Sequence, residues 1–171
     1  MDSISKEIEK SVTLIFSENN EKIKNGIKNL TNISKKPMSK QDKINLFNGK
    51  GIGYYFLDSQ KSKEYLQRAK KSDPNNSDSL HYLGHIESNK QNYEKAKEHF
   101  QNYLKKNPND AHILTELGAV HYHLKNFTES QKKLEKALEI DKDEIEAHHY
   151  LAHIFEQKEG DLKVIEHYDK I

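Results

Sequence analysis

Leucine followed by a small residue recurs at Leu83-Gly84, Leu117-Gly118 and Leu151-Ala152, each pair 34 residues from the next. A fixed period of that length restricts the chain to a stack of like supersecondary units, because each unit must bury its apolar face on its neighbour. In the unit that opens at Ser77, the key offsets carry Leu80, Leu83, Gly84, Ala96, Phe100 and Pro108. From Ala111 they carry Leu114, Leu117, Gly118, Ser130 and Leu134, with Ala137 behind them and Lys142 in place of the closing proline. A third unit from Ile145 supplies His148, Leu151, Ala152 and Phe155, followed by Val164 and Tyr168 on a short second helix. With 3 prolines and 7 glycines in 171 residues, the punctuation favours long helices over many short strands.

Two antiparallel helices per unit would account for this spacing. Leu83 and Leu117 face inward, and Gly84, Gly118 and Ala152 stand where a larger side chain would hold the helices apart. Ala96 and Ser130 do the same from the second helix. Asn126 with Glu129 three residues on reads as a capping-box start, and Asn107-Pro108 as the end of the preceding helix.

These offsets closely resemble the tetratricopeptide repeat (TPR) family. The resemblance covers residues 43–171, most strongly 77–144, and implies an all-α fold, a right-handed α-solenoid of antiparallel helix pairs. The repeats then occupy 43–76, 77–110, 111–144 and a shortened 145–171. The first of them is degenerate. Pro74 precedes Pro108 by one period, and Ser62, Leu66 and Ala69 fill second-helix slots. Gly49, Lys50, Gly51, Ile52 and Gly53, however, stand where a Leu-Gly pair is expected, so 41–57 is either a helix with a break or two shorter helices. In residues 1–40, Ile4, Ile8, Val12 and Ile15, then Ile23, Ile27, Leu30 and Ile33, lie at helical spacing on either side of a polar stretch. That pattern predicts a helical hairpin ending near Lys36-Pro37, either a diverged repeat or an end cap. The whole chain would hold about ten helices.

Composition narrows the function classes. The chain has 28 basic and 27 acidic residues, interleaved, for a net charge of +1, so neither nucleic acid nor an anionic membrane is an expected partner. Absence of cysteine removes disulfides, thiolate catalysis and cysteine-based zinc sites. The apolar stretch 12–16 is too short for a signal-peptide core or a membrane span, and the reading is a soluble cytoplasmic protein.

In the TPR family the first helices of successive units line a concave groove that holds an extended or helical segment of a partner. By matched position the resemblance places His81, Tyr82, His85 and Asn89 on that wall, then His112, Thr115, Glu116, Tyr122 and His123, then Glu146, His149, Tyr150, His153 and Gln157. Tyrosine suits recognition because its ring gives a large contact at low entropy cost and its hydroxyl a directional bond. The competing reading is that Tyr82 and Tyr150 merely pack between helices.

The segments His81-Tyr82-Leu83-Gly84-His85-Ile86 and His149-Tyr150-Leu151-Ala152-His153-Ile154 nearly repeat each other, and each sets two histidines at i and i+4, a spacing able to chelate zinc, copper or nickel. No acidic residue at obvious ligand spacing completes either pair, the intervening unit has Thr115 and Ala119 in those places, and duplication explains the likeness. No metal site and no cofactor are therefore assigned. Several imidazoles could also confer pH sensitivity, though neutral hydrogen bonding is the favoured reading. The cationic clamp with which some family members grip a chaperone carboxy-terminus is absent, since the matching places hold Phe47, Gly51, Tyr82, Glu146 and Tyr150. Gly49 to Gly53 lacks the spacing of a phosphate loop, and no nucleophile elbow or zinc-protease motif occurs, so an enzyme is not expected.

The function read from these residues is a non-enzymatic protein–protein interaction scaffold or adaptor. The alternatives are a homo-oligomer assembled end to end through the repeats and a histidine-rich metal- or pH-responsive module; an apolar face at Ile165, Tyr168 and Ile171 is expected either to pack against another copy or to continue in a longer chain.

Overall fold

The computed structural model describes residues 3–17 and 19–159, and these hold nine α-helices and no strand. They are α1 (Ser3–Ile15), α2 (Asn20–Ile33), α3 (Lys40–Tyr55), α4 (Ser59–Ser72), α5 (Ser77–Asn89), α6 (Tyr93–Leu104), α7 (Ala111–His123), α8 (Phe127–Ile140) and α9 (Ile145–Glu159). The expectations placed on Val164, Ile165, Tyr168 and Ile171, and on a tenth helix, lie outside the described residues. The chain divides into two compact units, residues 1–86 and 87–171.

In the first unit, the spaced isoleucines of α1 and α2 meet across one core. Ile8, Ile15, Ile23, Ile27, Leu30 and Ile33 are buried together with Leu46 and Ile52 of α3. Asn19 starts α2 by accepting the backbone N–H groups of Glu21 and Lys22 at 2.8 and 3.2 Å, which satisfies donors that no earlier turn can reach. The Ser39 and Ser5 hydroxyls donate to the two oxygens of Asp42 at 2.6 and 2.8 Å, fastening α1 to the start of α3. Those two bonds, Ser39 first, hold the Asp42 carboxyl below its ordinary range.

Helix α3 runs unbroken through Gly49, Gly51 and Gly53, which corrects the expected break. Every residue from Asn48 to Gly53 is buried, and glycine there serves close approach instead of a bend. A Cβ on Gly51 would stand 2.6 Å from both Cγ and Cδ2 of Leu66 on α4, and Leu66 is wholly buried. One turn away, the buried Ser62 hydroxyl donates to the Gly51 carbonyl at 2.7 Å.

The second unit contains the same contact. A Cβ on Gly118 would lie 2.7 Å from Cγ and Cδ2 of Leu134, and the Ser130 hydroxyl donates to the Gly118 carbonyl at 2.8 Å. The serine follows its glycine by 11 residues in the first unit and by 12 in the second. The connection is three residues long in both, 56–58 and 124–126, but α3 ends one residue sooner after its glycine than α7 does, so Gly51 takes the place that strict periodicity gives to Lys50. Around this contact Ala96, Phe100, Ile113, Leu117 and Val120 form one core cluster, and Leu114, Leu134, Ala137, Ala147, Leu151 and Ile154 another.

The exit from α7 departs from the capping-box expectation. The Asn126 side chain makes no cap bond. Lys125 adopts a φ of 62°, and the Asn126 and Lys125 N–H groups donate to the His121 and Tyr122 carbonyls, both at 2.9 Å. That left-handed closure satisfies the last carbonyls of the helix through the backbone alone. Gln91, one period earlier, has a φ of 60° and closes the end of α5 in the same way.

Gly118→Ala should lower stability by about 1–3 kcal/mol through overpacking, although alanine is the better helix former. Urea denaturation followed by circular dichroism measures it. In combination with Leu134→Ala, the double variant should lose less than the sum of the two separate losses, because the second substitution vacates the space the first one fills.

Candidate functional site

In the second unit, α7 and α9 present rings from five of the expected residues together. Tyr122 lies 5.4 Å from Tyr150 and 6.4 Å from His153, centroid to centroid, and His123 meets Tyr150 edge-on at 6.1 Å. His149 packs 6.2 Å from Tyr150 and 4.6 Å from His153. Gln157 donates from Nε2 to the Tyr122 hydroxyl at 3.2 Å, joining the ends of the two helices. These spacings fall in the range where aromatic pairs attract. Tyr122 and Tyr150 are half-buried, so each ring is held on one side and open on the other. Burial, ahead of the nearby carboxylates, pushes the Tyr150 hydroxyl up, which keeps it a neutral donor.

Two members of this group were not expected from the sequence. Tyr93, the first residue of α6, stacks on His123 at 4.7 Å with the planes 8° apart. Phe127, the first residue of α8, meets Tyr122 edge-on at 5.5 Å. They are one period apart, so an aromatic at the opening of each second helix was a readable signal.

Lower on α7, His112 is exposed and Glu116 half-buried, while Glu146 on α9 is exposed. Desolvation, then the Glu146 charge, raises the Glu116 carboxyl from an ordinary 4.5 to about 7, with His112 opposing. Thr115 corrects the expectation placed on it. It is fully buried, and its hydroxyl donates back to the Ala111 carbonyl at 3.0 Å, so it offers a ligand nothing. Asn89 lies exposed at the end of α5.

The first unit carries a set of its own. Tyr55, also missed by the sequence reading, meets Tyr82 at 5.2 Å and His85 at 6.5 Å, and His81 stacks on Tyr82 at 4.9 Å. Burial raises the Tyr82 hydroxyl above its usual range. A cleft of about 460 Å³ in this unit is lined by Val12, Phe16, Asn45, Gly49 and Ile52 among others, with Phe16 62% exposed. Gly49 to Gly53, far from cradling phosphate, lies inside helix α3. No helix among the described residues is long and apolar enough to cross a membrane.

Residues 89–154 match the family model described as tetratricopeptide repeat, so the chain carries tetratricopeptide repeats across that segment. Solved structures extend the likeness over nearly the whole chain. MamA 41-end from Desulfovibrio magneticus RS-1 is 17% identical, with a TM-score of 0.83 over 99% of this chain and 94% of its own. MamA of AMB-1 is 18% identical, with a TM-score of 0.77 over 97% and 95%. MamA of MSR-1 is 19% identical, with a TM-score of 0.76 over 95% and 90%. At these identities the likeness is one of fold, an all-α, TPR-like solenoid. No curated protein matches the sequence.

Glu116 predicts a pH dependence with a definite sign. Because its folded pKa is raised, the native state holds the proton more tightly than the unfolded chain, and that contribution to stability is lost as pH rises from about 4.5 to about 7. Glu116→Gln should therefore melt close to wild type at pH 4.5 and progressively above it toward pH 7 and beyond. Paired melting curves across that range check it.

Proposed function

We propose that the protein is a non-enzymatic interaction scaffold of the adaptor kind, which holds a segment of a partner protein against the first helices of its repeats. Repeats at 43–76, 77–110, 111–144 and 145–171, preceded by a hairpin over 1–40, form part of this reading. The observation that carries it is the α7–α9 ring group. Tyr122, His123, Tyr150 and His153 are set by packing, and none of the four is buried. Pre-set rings of this kind lose little entropy on binding, which is why tyrosine dominates the productive part of many interfaces. His112, Glu116, Glu146, His149 and Gln157 surround that group. In the first unit His81, Tyr82 and His85, with Tyr55, form a second contact set, and Asn89 belongs to the exposed end of α5. Fold alone does not choose a ligand, so the partner is defined by this surface.

The test is affinity capture from the native cell extract with three baits. They are wild type, a Tyr122→Ala, Tyr150→Ala double variant, and a Lys132→Ala, Lys136→Ala control on the exposed side of α8. A partner held by wild type and the control, and lost from the tyrosine variant with its helical signal intact, is the expected result. A partner lost from the control alone, or kept by every bait, would place the working surface elsewhere.

A further inference from the structure

We propose that His149 and His153 on α9 form a binding site for a divalent transition-metal ion of borderline softness, copper, nickel or zinc, with Glu156 as the orienting carboxylate. The inference stands apart from the scaffold reading and does not depend on it.

The two Nε2 atoms lie 2.7 Å apart on one face of the helix. A metal bonded to both at about 2.0–2.1 Å, with an angle between about 90 and 110°, needs them about 2.9–3.4 Å apart. A rotation of a few tenths of an ångström at each nitrogen provides that, and both side chains can make it, since His149 is exposed and the His153 side chain is 38% accessible. The site is thus closed by a hydrogen bond whose two ends are both ligand atoms.

Glu156 supplies what a pair of imidazoles on a helix usually lacks. Its Oε2 lies 3.1 Å from Nδ1 of His153, one turn further along α9. A carboxylate at that distance places the ring proton on Nδ1, which donates to it, and leaves the lone pair on Nε2. This is the arrangement that fixes tautomer and raises ligand basicity in metal-bound histidines. With Nε2 of His153 as acceptor, the short contact requires His149 to donate from its own Nε2. On metal binding that proton passes through solvent to Nδ1 of His149, so both rings bind as neutral imidazoles. Remaining coordination positions stay open to water. Three residues beyond His153, Glu156 has the spacing of an orienting group, not of a ligand.

Neighbouring histidines sharpen the assignment. His148 is buried, with its Nε2 3.0 Å from the Lys142 carbonyl oxygen, and takes no part. His81 and His85 on α5 repeat the spacing, with Nε2 atoms 2.9 Å apart. A measurement on α9 therefore needs that pair removed.

In a His81→Ala, His85→Ala background, copper(II) is titrated in while the histidine Cε1–H resonances are followed by NMR, and zinc affinity is measured by calorimetry. Expected are one saturable site per chain and selective broadening of His149 and His153. His149→Ala or His153→Ala should abolish the site with the helical signal unchanged, and Glu156→Gln should weaken it about tenfold. Broadening that spreads evenly over His112, His123 and the α9 pair, absence of a saturable site, or indifference to either alanine substitution would overturn the proposal.

Discussion

The contact on which each unit depends is a glycine on a first helix set against a serine and a leucine on the second. At Gly51 and Gly118 the missing Cβ lets the neighbouring leucine enter the space, and the serine hydroxyl bonds the glycine's own carbonyl. Four consequences are fixed at once: helix separation, rotation of each helix about its axis, burial of a whole leucine and satisfaction of a buried hydroxyl. In α7 the next turn after Gly118 is Tyr122, so the packing that seats the glycine also sets the angle at which that ring leaves the helix. Glycine in a helix interior costs about 1 kcal/mol in propensity, and at these two places the close approach offsets it.

Much of this was legible in the sequence. Ser62, Leu66, Ser130 and Leu134 were identified as second-helix slots by periodicity, and the isoleucines of residues 1–40 occur at the spacing that buries them in α1 and α2. The departures have local causes. Strict periodicity points to Lys50, but an α3 that ends one residue sooner after its glycine moves the contact to Gly51, and a glycine-rich run that looks like a helix breaker is helical because all its faces are covered. Asn126 resembles a cap, yet the left-handed Lys125 closes the preceding helix first and leaves the asparagine side chain unused. Thr115 sits at a groove position by alignment, but its hydroxyl is turned to the Ala111 carbonyl. Tyr93 and Phe127 open second helices, outside the first-helix positions that line the family's groove, although their 34-residue separation repeats the period.

The α7–α9 surface joins rigidity to access. Each ring touches at least one other, from Tyr93 through His123 and Tyr150 to Tyr122 and His153, and Gln157 ties the far end back to Tyr122. Lys125 lies over both Tyr122 and Phe127 at about 6 Å, adding a cation to the faces of two rings. Below them Glu116 is a carboxyl half-removed from water and crowded by Glu146, so the charge of this surface depends on pH near neutrality. On the proposed scaffold reading, a surface so built would favour a partner that brings apolar contacts for the rings.

The most direct test of this account is site-specific photo-crosslinking, with a photoreactive phenylalanine analogue introduced at position 122 or, as a control, at position 132 of α8, in cells that express the chain. The account predicts a discrete protein adduct from position 122 that is missing from position 132. Adducts from position 132 alone, or equal yields from both, would contradict it.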